Sequence, residues 1–167
     1  MALAYFITFS TDGTWLHGCE KGSVDRQHHA FGTAWLDKDG ERLNGEQRKM
    51  TQAPYVLDAA RREVVCAAIV QLCAEKGWEL LALHGRTNHV HIVAAERDPG
   101  RLMSDVKARA SRELTRAGFD TPERIRWTRH GSTKHLFHQN DVDERVRYTL
   151  DEQGERMSWF AKEPRTK

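Results

Sequence analysis

Apolar residues recur along the chain in short runs between polar stretches, and these runs predict four strands. The strands are predicted at Tyr5–Ser10, Trp78–His84, Asn88–Ala95 and Lys134–His138. The second and third are joined by the turn-forming sequence Gly85-Arg86-Thr87-Asn88, which predicts a β-hairpin.

Apolar residues spaced three and four apart predict three helices. Each is preceded by a polar residue that can accept backbone N–H bonds, and each is followed by a glycine. Their predicted bounds are Asp58 to Lys76, Asp98 to Gly118, and Asn140 or Asp141 to Gln153.

Two segments carry little pattern. Residues 11–53 offer only a candidate short strand at Ala30–Leu36, and residues 154–167 form a C-terminal tail. Because no repeat or linker divides the chain, we expect a single domain over residues 1–167.

The composition is that of a soluble globular protein, with 39% hydrophobic and 30% charged residues in a chain of 167. The formal charge of only +2 makes the distribution of charge more informative than its sum. Cys66 and Cys73 lie about 10 Å apart along one predicted helix, too far for a disulfide. With no signal-like or membrane-spanning segment, reduced thiols favour a cytoplasmic location.

The third predicted strand carries the first candidate chemistry. Strand side chains alternate between faces, so His89 and His91 point to one side while Val90 and Ile92 point to the other. Two imidazoles side by side are suited to a metal ion, although two polar residues on a solvated face give the same pattern. The hairpin turn would place His84 opposite His89, either as a further ligand or, more plausibly, as a structural histidine.

Basic residues concentrate in the second helix and in the segment that follows it. With Trp127 among them, they favour a surface that contacts nucleic-acid phosphates over a merely solvated face. The candidate DNA-binding residues are Arg101, Lys107, Arg109, Arg112, Arg116, Arg124, Arg126, Arg129 and Lys134.

The last predicted helix carries Tyr148 outside its apolar stripe, with Glu144 and Glu152 four residues to either side. On this helix alone, an amphipathic tyrosine at the margin of the core is the simpler interpretation. Glu152 would share a face with Tyr148, and Gln153 is its neighbour.

Taken together, these motifs resemble those of the HUH-type single-tyrosine transposases, the small insertion-sequence transposases and their REP-associated relatives. Asn88-His89-Val90-His91-Ile92-Val93 is similar to the core motif of that family, and residues 146–153 are similar to its nucleophile helix. The opening strand also resembles the first strand of the family. The resemblance spans residues 4–153, and residues 11–53 carry no matching motif.

The resemblance implies an α+β fold, an RRM-like or ferredoxin-like two-layer sandwich with an antiparallel sheet backed by helices. It also implies that His89 and His91 bind a divalent metal, Mg²⁺ or Mn²⁺, and that Tyr148 is the catalytic nucleophile. The third ligand in the family follows the tyrosine by about one turn, which favours Glu152 with Gln153 as the alternate.

The function implied is cleavage and rejoining of single-stranded or hairpin DNA through a 5′-phosphotyrosine intermediate, by a monomer or a homodimer. Two alternatives remain. A non-catalytic nucleic-acid-binding module on the same fold would need only the basic surface. Another HUH nuclease, such as a replication initiator or relaxase, would use the same residues.

Overall fold

The computed structural model describes residues 1–14 and 52–163, so the candidate strand at Ala30–Leu36 lies outside the described residues. The elements are, in chain order, β1 (Ala4–Ser10), α1 (Ala59–Lys76), β2 (Glu79–Gly85), β3 (His89–Ala95), α2 (Pro99–Arg116), β4 (Ser132–Leu136), α3 (Gln139–Asp151) and β5 (Ser158–Ala161).

The strands form one antiparallel sheet in the order β4-β1-β3-β2-β5. The first four strands, with α1 and α2 as their crossovers, have the order of a ferredoxin-like fold, which confirms the predicted fold class. The C-terminal tail contains a strand that the sequence pattern does not predict, because Ser158–Ala161 adds a fifth strand to the free edge of β2. Four residues are too few for a periodic pattern to reveal this strand.

Helices α1 and α2 begin and end for local reasons that the sequence predicts. The Asp58 and Asp98 side chains accept the backbone N–H groups of Arg61 and Arg101, and each thereby satisfies a donor in the first turn. Gly77 ends α1 with a φ of 70°, a left-handed conformation that glycine adopts without strain.

The sheet has an apolar core on each face. On one face β1, β2 and β3 pack against α1 and α2 through residues such as Ile7, Ile69 and Ile92, which are all fully buried. On the other face Val93 and Leu136 pack against Val142 of α3. Helix α3 therefore covers the face toward which His89 and His91 point.

Helix α3 differs from its prediction at both ends. It begins at Gln139 after His138, which caps it without a side-chain hydrogen bond, and it ends at Asp151 rather than Gln153. Only residues 137 and 138 connect β4 to α3, and β5 pairs with β2 soon after α3 ends. The sheet therefore holds α3 at both ends.

The β2–β3 hairpin also differs from its prediction. Three residues rather than four separate the strands, and His84 pairs with His91 instead of His89. The change follows because Gly85 belongs to β2, where it pairs with Val90. In the described residues no helix is long and apolar enough to cross a membrane.

The contact between β4 and β1 predicts a stability effect at Gly131. A Cβ atom added there would lie 2.6 Å from the Thr8 carbonyl oxygen and 2.7 Å from Met103 Sδ. We expect Gly131→Ala to lower the free energy of unfolding by about 1–3 kcal/mol in urea titrations. The matched control is Gly100→Ala in the first turn of α2, where the nearest atom is 3.4 Å away. It should change stability by less than about 1 kcal/mol, and equal losses in both variants would contradict the steric argument.

Candidate metal and nucleophile site

The two histidines of β3 lie where alternation predicts. His89 and His91 face α3, while Val90 and Ile92 face α1 and α2. His91 is buried, with 6% of its surface exposed, and His89 is partly exposed at the strand end. Their rings meet edge to face, with centroids 4.7 Å apart.

Hydrogen bonds at Nδ1 orient both rings. His89 Nδ1 donates to Asn88 Oδ1 at 2.6 Å, so a neutral His89 ring would carry its lone pair on Nε2. His91 Nδ1 lies 2.7 Å from Thr8 Oγ1, a hydroxyl that can donate or accept and so suits either tautomer. Burial, followed by the neighbouring His89, lowers the pKa of His91 to about 3, so its ring is neutral at physiological pH. Neutral imidazoles held through Nδ1 are the usual form of metal-ligating histidines.

The residue that reaches the histidines from the other side is Gln153. Its Oε1 atom lies 3.2 Å from His91 Nε2, and its Nε2 atom donates to the Tyr148 carbonyl oxygen. Glu152, the first choice for a third ligand, forms an ion pair with Arg147 at 3.0 Å instead. Glu152 is the C-cap of α3, with its backbone N–H still bonded to the Tyr148 carbonyl oxygen, and it is the side chain that turns to Arg147. The alternate, Gln153, is the residue that the structure brings to the histidines.

The donor set fits a divalent ion. Imidazole nitrogens and amide oxygens both serve as ligands of divalent cations. His91 Nε2 and Gln153 Oε1 already lie 3.2 Å apart, across a hydrogen bond. Among the described residues, no three His, Cys, Asp or Glu side chains converge on a possible metal site. The candidate set is therefore two imidazoles and one amide oxygen: His89, His91 and Gln153.

His84 is a structural residue. Its Nδ1 atom donates to the Thr149 carbonyl oxygen at 2.8 Å, and its Nε2 atom accepts the Met157 backbone N–H at 3.0 Å. Burial lowers the pKa of His84, which agrees with a neutral ring that uses one nitrogen as donor and the other as acceptor. With both nitrogens engaged, His84 ties β2 to the C-terminal end of α3 rather than binding a metal.

Tyr148 lies beside His91, and Phe6 holds the two rings in place. The Tyr148 and His91 ring centroids are 5.9 Å apart. The Phe6 ring stacks on His91 at 5.3 Å and meets Tyr148 edge to face at 5.8 Å. Tyr148 is partly exposed, and none of the other described residues forms a hydrogen bond with its hydroxyl.

The other two tyrosines belong to the opposite face. Tyr5 is 8% exposed and packs in the core beneath α1 and α2, and Tyr55 is 3% exposed in the same core. The Tyr55 hydroxyl donates to Asp120, and burial followed by that carboxylate raises the pKa of Tyr55. Of the chain's three tyrosines, all of them in described residues, only Tyr148 adjoins the histidine pair.

Phe6 and Arg145 are site residues that sequence reasoning missed. The Arg145 guanidinium lies 5.5 Å from the Phe6 ring centroid and 5.3 Å from that of Tyr148. The spacing of Arg145 and Tyr148, three residues apart on one helix, was a usable signal. Phe6 gave none, since an aromatic residue in a first strand is ordinarily part of the core.

A comparison of the sequence with family profiles identifies the family of this chain. A profile of the family described as "Transposase IS200 like" matches residues 52–140, more than half of the 167-residue chain. The chain belongs to the IS200-like transposase family. The suspected relationship is thereby confirmed. The matched residues include the histidine pair and end before Tyr148.

Beyond the family, the chain is similar to one solved structure described as "Structure of the REP associates tyrosine transposase bound to a REP hairpin". The two sequences are 12% identical, and the match covers 89% of this chain and 66% of that chain, with a TM-score of 0.46. This chain thus spans less than two thirds of the length of that protein. No curated protein matches the sequence.

In this IS200-like transposase, several of the predicted DNA-binding residues hold the protein together. Arg109 forms a bidentate ion pair with Glu75 at 2.9 and 3.0 Å, which joins α2 to α1. Arg126 is 4% exposed and bonds to Thr115 Oγ1. Lys107 donates to two backbone carbonyls, and Arg124 donates to Gln52 and Ala53. Arg101 and Arg116 form exposed ion pairs within α2, with Asp105 and Glu113.

The remaining predicted cations are exposed and lie on both sides of the sheet. Arg101, Arg112 and Arg116 project from α2, in the layer behind the histidine pair. Lys134 pairs with Phe6 and therefore shares the face of the site, and Arg129 precedes it in the same connection. The candidate site residues and the predicted basic helix are thus on opposite sides of the sheet.

The hydrogen bonds of His84 predict that its loss destabilises the fold. Replacement by alanine leaves a buried carbonyl and a buried N–H without their partner, which costs about 3 kcal/mol in unfolding free energy. The control is His138→Ala, an exposed histidine whose side chain does not bond to the end of α3. It should shift stability by about 0.5 kcal/mol or less. Urea unfolding of both variants tests this, and comparable losses would show that His84 is not a structural tie.

Proposed function

We propose that this protein is a metal-dependent DNA transposase and endonuclease that cleaves and rejoins single-stranded or hairpin DNA through Tyr148. The observation that carries the proposal is the position of Tyr148 beside His91, with Gln153 completing a set of metal donors. A nucleic-acid-binding module has no need for a partly exposed tyrosine next to such a set.

His89, His91 and Gln153 would hold Mg²⁺ or Mn²⁺, and the nitrogen donors favour Mn²⁺ because Mg²⁺ prefers an all-oxygen shell. The bound ion would polarise the scissile phosphate and neutralise charge that develops on its oxygens. The protein's own contribution is to fix the donors: Asn88 and Thr8 orient the two imidazoles through their Nδ1 atoms.

Tyr148 supplies the nucleophile. Its Oη atom forms a bond to phosphorus and loses its proton, while the bond to the 3′ oxygen breaks and that oxygen gains a proton. The products are a 5′-phosphotyrosine and a free 3′-hydroxyl. Attack by a 3′-hydroxyl reverses the step, rejoins the strand and regenerates Tyr148, so no external energy source is required.

Phe6 and Arg145 would position the nucleophile. The Phe6 ring contacts both the His91 and the Tyr148 rings, and the Arg145 guanidinium lies against the Phe6 and Tyr148 rings. A guanidinium with 22% of its side chain exposed can also face a phosphate.

One chain supplies every proposed site residue. Two residues join β4 to α3, and His84 and β5 anchor the other end of the helix. A helix held in this way presents Tyr148 to the histidines of its own chain. In this proposal Tyr148 acts with the histidines of its own chain, in a monomer or in a homodimer.

One prediction of this proposal concerns the nucleophile. Tyr148→Phe removes only the hydroxyl, so it should keep the fold and eliminate the covalent protein–DNA adduct formed with labelled single-stranded DNA and Mn²⁺. Mass spectrometry of the wild-type adduct should place the nucleotide on the peptide that contains Tyr148. Tyr5→Phe is the matched control and should form the adduct normally. An adduct that survives Tyr148→Phe would show that another residue attacks.

Another prediction of this proposal concerns the third metal ligand. Because Gln153 faces His91 while Glu152 pairs with Arg147, Gln153→Ala should weaken Mn²⁺ binding by about tenfold or more. Glu152→Ala should leave Mn²⁺ affinity nearly unchanged, and His91→Ala should abolish binding. Titration calorimetry measures all three. If Glu152→Ala lowered Mn²⁺ affinity more than Gln153→Ala, the Glu152 carboxylate would be the third ligand.

A further inference from the structure

A cleft opens beside the candidate site, on the side of β1 and β4. Its lining includes Thr8, Ser10, Thr128, Arg129, His130 and Ser132. Its volume is about 410 Å³, which lies within the range of roughly 300–1,000 Å³ that is usual for pockets that hold small ligands.

The cleft is continuous with the histidine pair through Thr8. Ser132 pairs with Thr8, and Thr8 pairs with His91, so the three side chains share one face in a row across the sheet. Since neighbouring strands are about 4.8 Å apart, Ser132 lies roughly 10 Å from His91 along this row. The Thr8 hydroxyl that contacts His91 is therefore also part of the cleft wall.

The opposite side of the histidine pair is closed. The connection from α3 to β5 crosses β2 there: Gln153 lies against His91, and the Met157 backbone N–H bonds to His84 beneath it. Arg86 fixes the same connection through a 2.6 Å hydrogen bond to the Glu155 carbonyl oxygen. Among the described residues, this connection therefore lies across β2, and the cleft lies on the other side of the histidine pair, over β1 and β4.

Hydrogen bonds and close packing hold the wall of the cleft in place. From behind the sheet, Lys107 Nζ donates to the carbonyl oxygens of Thr128 at 3.0 Å and His130 at 3.2 Å. Gly131 lies so close to the Thr8 carbonyl oxygen that no side chain fits between them. Residues 128–131 are thus held against β1 in one arrangement.

The charge of the cleft suits a phosphate backbone. Arg129 and His130 line it, and Lys134 continues the same face next to Phe6. The described residues that line it include no Asp or Glu. Unpaired nucleotides are bound by such combinations of cations and hydrogen-bonding groups along a groove.

We infer that this cleft binds the unpaired nucleotide adjacent to the scissile phosphate, so that single-stranded DNA runs from Tyr148 over β1 and β4. Arg129 and Lys134 contact its phosphates, and the Ser10 and Ser132 hydroxyls face its sugar or base. The inference rests on the proposed function, which defines the scissile phosphate. The inference itself concerns only where single-stranded DNA binds.

Photocrosslinking tests the path directly. The probe is oligothymidylate that carries one 5-iododeoxyuridine, irradiated with the full-length protein and mapped by mass spectrometry. We expect crosslinks in the peptides that span residues 128–134. Trp159 on β5 is 47% exposed and pairs with His84 on the same face, beyond the closed side. Crosslinks that concentrate at Trp159 would overturn the inferred path.

A pair of matched double variants tests the contacts. Each phosphate contact to a single strand contributes about 0.7 to the slope of log affinity against log salt concentration. Arg129→Ala with Lys134→Ala should therefore reduce the slope for oligothymidylate by about 1.4. Arg97→Ala with Lys76→Ala removes one exposed arginine and one exposed lysine at the other end of the sheet and should leave the slope unchanged. Equal reductions would mean diffuse charge attraction and would refute the cleft.

The two proposals fail separately. If crosslinks fall in residues 128–134 but Tyr148 forms no adduct, the strand path stands and the proposed strand transfer is wrong. If the adduct forms on Tyr148 while crosslinks and salt dependence do not involve the cleft, the strand transfer stands and the path is wrong.

Discussion

Thr8 lies opposite His91 because β1 and β3 pair antiparallel in a fixed register, and the candidate site depends on that register. The same pairing places Phe6 on the face of His91, where its ring contacts both His91 and Tyr148. A slip of one residue would turn every side chain of β1 to the other face. It would remove Thr8 and Phe6 from the histidines and bury polar groups against α1 and α2. The core residues Ile7 and Phe9 oppose such a slip, because each is almost fully buried on the other face.

Interactions between residues close in sequence determine much of this structure, and that part is predictable. The alternation of β3 places His89 and His91 on one face, and it needs no knowledge of distant residues. The caps of α1 and α2 are similarly local, since each involves a side chain and a backbone group three residues away. The order of strands and helices then leaves few topologies, of which the ferredoxin-like order is a common one.

What the sequence did not reveal depends on boundaries and on distant partners. The choice between Glu152 and Gln153 depends on side-chain partners at the last turn of α3, and helix ends are the least certain feature of a periodic pattern. The hairpin register depended in the same way on one residue, Gly85. The internal role of Arg109 depends on Glu75, which is 34 residues away in the sequence. A count of basic residues cannot distinguish such a cation from one that is exposed to solvent.

Because the Gln153 side chain is neutral, the charge of the proposed site would affect how tightly it binds a metal ion. Two neutral imidazoles and an amide would leave a divalent ion with both of its positive charges, whereas a carboxylate would cancel one of them. Protein sites bind hard cations more tightly as the ligand charge increases, so such a site has modest affinity on its own. The missing negative charge is what a DNA phosphate carries. Ion and nucleic acid would then bind cooperatively, and by thermodynamic linkage each would raise the affinity for the other by the same factor.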